Sequence, residues 1–217
     1  VVGPDDHTKT FKVYRGLLCF QAKYFNGLLN SGFAEAGSNS IPLAEVDVHI
    51  FQVFSIWLNS GALDDLGALT TSSQWGNFIK AYTFADYYLA QNFRNALLVY
   101  ICRTTFAALK MFPGCNRLVY DATSAHDPLR RWLVDVGIRT WTMECFTQLG
   151  SDDFHRDFLY DFIVATNAAG VVPGVVEAHF TGAHFTKWEQ EHIEHFCERY
   201  PDHSSLEVYP LADSQER

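Results

Sequence analysis

The chain has 217 residues, 48% of them hydrophobic and 15% aromatic, with a formal charge of −9. That composition is too apolar for a disordered chain, yet no apolar run approaches the length of a membrane span. The acidic balance excludes phosphate-backbone binding as the main activity, and the length suits one compact domain or two small, closely packed ones.

Val1-Val2-Gly3 reads as the stub of a strand, followed by a polar turn over 4–9. Residues 10–14 then alternate, with Phe11 and Val13 on one face, and predict a half-buried strand. From Gly16 the period becomes helical. Leu17, Phe20, Tyr24, Phe25 and Leu28 predict one apolar stripe over one or two short helices, ended by Gly32. Phe33-Ala34-Glu35 follows in a Ser/Gly/Asn loop. Residues 40–43 (SIPL) predict a short strand, which Pro42 places at an edge or strand end.

Asp47 is the expected N-cap of a helix that turns Ile50, Phe51, Phe54 and Leu58 inward and stops at Gly61. A polar linker over 64–73 leads to helical runs over 75–88 and 91–109, parted near Tyr87-Tyr88-Leu89. Phe112-Pro113-Gly114 marks an internal boundary. Beyond it, Asp127-Pro128 is a strong helix start, since Asp caps and Pro fits the first turn. Leu129, Trp132, Leu133, Val136, Thr140 and Met143 form the stripe of that helix. Phe158, Phe162 and Ala165 form the next, on a helix over about 151–168, and a final helix is expected over 186–200. The organisation is therefore a first domain over 1–112, a helical extension over 113–200 and a polar tail over 201–217. The extension is expected to dock on the helix carrying Phe93, Leu97, Tyr100 and Ile101.

Five widely spaced cysteines (Cys19, Cys102, Cys115, Cys145, Cys197) suit buried reduced thiols better than a disulfide framework. With no signal peptide before Val1, a cytoplasmic or nuclear address is the default, and the absence of an initial Met reads as a fragment. His192, His195, Cys197 and His203 invite a metal reading. Cys197, however, points away from the helix face shared by the two histidines, so no metal or other cofactor is expected. Cys115, with His126 eleven residues on, carries none of the local signatures of a catalytic thiol, and no catalytic residue is expected. Arg130-Arg131 reads as a solvated helix face.

The motifs TFKVY (10–14), LLC (17–19), KYF (23–25), GFAE (32–35) and IPL (41–43) resemble the front half of a BTB/POZ domain. FQVFSIWL (51–58) with Gly61, and AYTFADYY (81–88), continue the resemblance. The text from Val119 through LRRWLVD (129–135) is similar to the helical extension of fungal members. The resemblance implies an α+β fold, a small β-sheet packed on a helical cluster, and a protein–protein interaction module without catalysis. It further implies that Phe33, Ala34 and Glu35 contact a partner, as an adaptor recruiting a client to a cullin-type ubiquitin ligase. A self-associating scaffold is the alternative. An enzyme using Cys115 or the C-terminal histidines is the third. Protein partners are expected, with neither nucleic acid nor membrane.

Overall fold

The computed structural model describes residues 1–4, 7–30, 40–108, 114–141, 146–147 and 153–170. Among them run eight helices: α1 (Arg15–Gln21), α2 (Lys23–Asn30), α3 (Val48–Ser60), α4 (Ser72–Tyr87), α5 (Gln91–Ala108), α6 (Cys115–Ala122), α7 (Pro128–Thr140) and α8 (Arg156–Ala169). A 3-10 turn, Asp64–Leu66, precedes α4.

The expected α+β fold is corrected: the described residues are helical and contain no strand. Two isolated bridges, Val2 to Lys9 and Val2 to Leu43, are their β-pairing. The physical reason lies in the missing neighbours. Residues 10–14 alternate in burial as a strand should, but no described backbone pairs with them. A strand is defined by its ladder, so alternation alone does not make one. The other candidate, residues 40–43, meets only Val1 to Gly3, and Pro42 has no N–H to offer on its opposite edge.

The stripe expected across 17–28 is also rephased. Ala22, extended at φ −135° and ψ 108°, separates α1 from α2. Each helix then buries its own side, Leu18 on α1 and Phe25 with Leu29 on α2. The Arg15 guanidinium closes the pair by donating to the Leu29 carbonyl at 2.6 Å.

α3 follows its sequence closely. The Asp47 carboxylate accepts from the His49 N–H at 2.9 Å, and Gly61 ends the helix in the left-handed region at φ 75°. Phe51 and Phe54 are buried, and Phe54 meets Phe84 at 5.2 Å and Phe93 at 5.1 Å between ring centroids. α3, α4 and α5 thus share one aromatic core, in which each such ring pair adds about 0.5–1.5 kcal/mol beyond its buried area.

A hydrogen bond from Lys80 at 2.9 Å holds the Asp47 carboxyl below its ordinary value, with the His49 cap adding to it and partial burial opposing. Because the folded carboxyl is the stronger acid, its contribution is complete above the ordinary carboxylate range and fades as pH falls through the folded value. Asp47→Ala is accordingly expected to cost about 1 kcal/mol near neutral pH. In denaturant titrations at successively lower pH that difference should shrink, and a loss that grew with acid would refute the assignment.

The second half packs on the first chiefly through α6 against α4, where docking on α5 was expected. α5 contributes through Arg94 and Cys102. α7 and α8 pack face to face. A Cβ on Gly137 would stand 3.2 Å from the Phe162 ring, so glycine permits that close approach. Trp141, Phe158 and Phe162 fill the join, with Trp141 and Phe158 centroids 5.2 Å apart. Phe112-Pro113, the expected boundary, and the stretches over 171–217 lie outside the described residues.

Candidate interaction surface

Two groups of ionisable side chains are buried, one where the halves meet and one inside the second half. Asp127 caps α7 by accepting from the Leu129 N–H at 2.8 Å, and the same oxygen accepts from the Tyr82 hydroxyl at 2.9 Å. Its other oxygen accepts from Arg94 at 2.7 Å, and the Arg94 guanidinium also lies 4.9 Å from the Tyr82 ring centre. Burial, reinforced by the Asp127 charge, pushes the Tyr82 phenol far up, so it stays a neutral donor. Every partner here is used in holding α4, α5 and α7 together. The cluster fastens these elements together.

Arg130 forms the second group. It was expected on a solvated face, and the structure corrects this: Arg130 is 9% exposed, donates to the Tyr120 carbonyl at 2.7 Å and stacks over the Tyr120 ring at 4.4 Å. The sequence pattern could not show that the turn between α6 and α7 folds carbonyls back onto this side chain. Arg131 beside it is exposed.

Two of the thiols are poor nucleophiles. Cys115 and Cys102 are buried, and desolvation pushes both well above the ordinary thiol range. Among the described residues no three His, Cys, Asp or Glu side chains gather as a metal site. His192, His195, Cys197 and His203 lie outside those residues, as do Phe33, Ala34 and Glu35.

Instead, the described surface offers apolar side chains where α2 meets the corner between α4 and α5. The Lys23 and Tyr24 N–H groups donate to the Leu89 and Tyr88 carbonyls, both at 3.3 Å, which seats the start of α2 on that corner. Leu89 adopts φ 53°, an uncommon conformation for leucine. Its side chain is 55% exposed and that of Tyr87 is 70% exposed. Tyr24 lies 6.2 Å from Tyr87 and 5.0 Å from Tyr88, ring to ring, while Tyr88 stacks in parallel on buried Phe25 at 5.1 Å. Phe20, on the last turn of α1, is 57% exposed. Tyr88 is pushed up to about 12, by burial first and then by the neighbouring Tyr24, Tyr87 and Glu45. Its hydroxyl therefore remains protonated at neutral pH.

Tyr87 and Tyr88 also wall an open groove of about 910 Å³, completed by Glu45, Val46, Ile50, Thr83 and Phe84. Sequence reasoning missed this surface because it assigned Phe20 and Tyr24 to a buried stripe. The break at Ala22 was the missing signal.

No family model, curated protein or solved structure matches the chain. Without a family model, and with no strand among the described residues, the BTB/POZ assignment is overturned. No described helix is long and apolar enough to cross a membrane.

Proposed function

We propose that this chain is a protein-interaction module whose contact surface is the aromatic corner of Tyr24, Tyr87 and Leu89. One observation carries the reading: large apolar side chains stand in solvent on a backbone fixed by α2, α4 and α5. Rigid aromatic residues of this kind lose little entropy on contact and commonly dominate interface energies. The adjoining groove, with Glu45 at its wall, suits a partner segment of apolar side chains that also carries a cationic residue. The buried thiols support a binding role over catalysis. Recruitment of a cullin scaffold rested on the overturned resemblance and on Phe33-Ala34-Glu35, so the proposal stands on the corner instead.

A second reading, self-association, has its own observation. Tyr160, Ile163 and Val164 share the outer face of α8 at 69%, 64% and 50% exposure.

The test pairs Tyr87→Ser/Leu89→Ser with Ile163→Ser/Val164→Ser, comparing partner capture and sedimentation across a dilution series. The corner variant is expected to lower partner capture by at least about tenfold with its thermal unfolding little changed. Loss of self-association in the α8 variant, with capture intact in the corner variant, would transfer the role to α8.

A further inference from the structure

Residues 10–14 carry the alternation of a strand but have no paired neighbour among the described residues. The bridges around Val2 fix where such a neighbour would run. Val2 and Lys9 exchange both backbone hydrogen bonds, at 2.9 and 2.8 Å, as an antiparallel hydrogen-bonded pair. On its other side the same segment pairs in parallel: Leu43 donates to Val1 at 2.8 Å and Gly3 to Leu43 at 3.1 Å. The Val1 nitrogen donates to the Ile41 carbonyl at 2.9 Å.

Backbone groups two residues apart on a strand face the same neighbour. The N–H and C=O of Phe11 and Val13 therefore face the side that Lys9 presents to Val2. By the same rule the Ile41 N–H faces the side on which its carbonyl meets Val1. Both edges look into one cleft of about 500 Å³, in line with Val1-Val2 and floored by Leu18, Phe25 and Leu29. Phe11 and Val13 are half-buried on the cleft's inner side, while Thr10, Lys12 and Tyr14 are exposed on the outer side.

We propose that this cleft is a strand-docking site for an extended segment of a partner protein. The segment runs antiparallel to residues 10–14 and parallel to residues 40–43. Main-chain hydrogen bonds to Phe11, Val13 and Ile41 hold it, and its alternate apolar side chains rest over Leu18, Phe25 and Leu29. Its outward residue opposite Lys12 is acidic, because Lys12 is an exposed cation with no ion pair among the described residues. This site is separate from the aromatic corner and does not depend on it.

The probe is the capped hexapeptide Ser-Val-Thr-Val-Glu-Val, added to the full chain and followed by amide NMR shifts and calorimetry. Saturable binding is expected, with the largest shifts at Phe11, Val13 and Ile41. Val13→Pro deletes an N–H that faces the cleft and should weaken binding by about tenfold or more. Lys12→Pro deletes an N–H that faces away and should change binding by less than about threefold. Lys12→Glu should weaken binding of this peptide and favour one with lysine in place of its glutamate. Unchanged melting temperatures in the three variants establish that the fold is intact.

The proposal is overturned by absence of saturable binding up to about 1 mM peptide, or by equal losses in the two proline variants. Binding seen only when the peptide is fused ahead of Val1 would make the cleft a seat for the chain's own strand and overturn the partner reading. Dilution-sensitive self-association that Val13→Pro abolishes, with no peptide bound, would give the cleft to a second copy and do the same.

Discussion

Asp127→Ala is expected to lower folding stability by about 3–5 kcal/mol, because it leaves the Arg94 charge buried against apolar neighbours. Arg94 is 9% exposed and Asp127 6%, so water replaces neither partner readily. The substitution also removes the α7 cap and the acceptor for the Tyr82 hydroxyl. Asp86, which lies 3.2 Å from Arg94 but is 67% exposed, offsets little of this, since exposed pairs contribute at most about 1 kcal/mol. The informative comparison is a double-mutant cycle of Asp127→Leu with Arg94→Met. Each single change should be costly, and the pair should recover much of the loss, because apolar residues of similar volume can replace a buried ion pair at little cost. Urea titrations of the four proteins measure this directly. Strictly additive losses would show that the two side chains act independently.

Asp127 also shows how far sequence carries such an argument. Asp-Pro ahead of an apolar period announced the cap, and the structure has that cap in place. The second duty of the same carboxylate, receiving Arg94 and Tyr82 from residues 33 and 45 positions earlier, leaves no local pattern. Helix periods are local and were legible for α3, α4, α5, α7 and α8, as were the caps of α3 and α7 and the glycine stop at Gly61, but not the Thr71 and His155 caps of α4 and α8. Pairing between segments is not local. Residues 10–14 have the burial pattern of a strand, but the ladder needs a neighbour that their spacing cannot supply. The α+β fold implied by the resemblance needed such a ladder, and the strand read from those residues treated a necessary condition as sufficient. The aromatic corner was hidden by a different local error. One stripe was drawn through Ala22, although the chain turns there and restarts its phase, which sends Phe20 and Tyr24 outward.

Trp132→Ala should also be costly, by about 3–5 kcal/mol, because a fully buried indole leaves a cavity that its neighbours cannot refill. Trp132 is 0% exposed, as are Leu129, Leu133 and Val136 on the same helix. Its indole nitrogen approaches the Cys102 thiol on α5 without reaching full hydrogen-bond geometry. The ring therefore joins α7 to the first half, and its loss reaches beyond α7. α6 lies on α4, and Asp127 reaches both α4 and α5. A chain joined at so many buried points should unfold in one transition. Trp132→Ala should accordingly lower the midpoint seen by far-UV dichroism and by tyrosine fluorescence together. Trp132→Phe, which keeps most of the apolar volume, should lose much less. Two separated transitions, with Trp132→Ala moving only one, would show that the halves are independent modules. A near-zero cost would place Trp132 outside the core, against its complete burial.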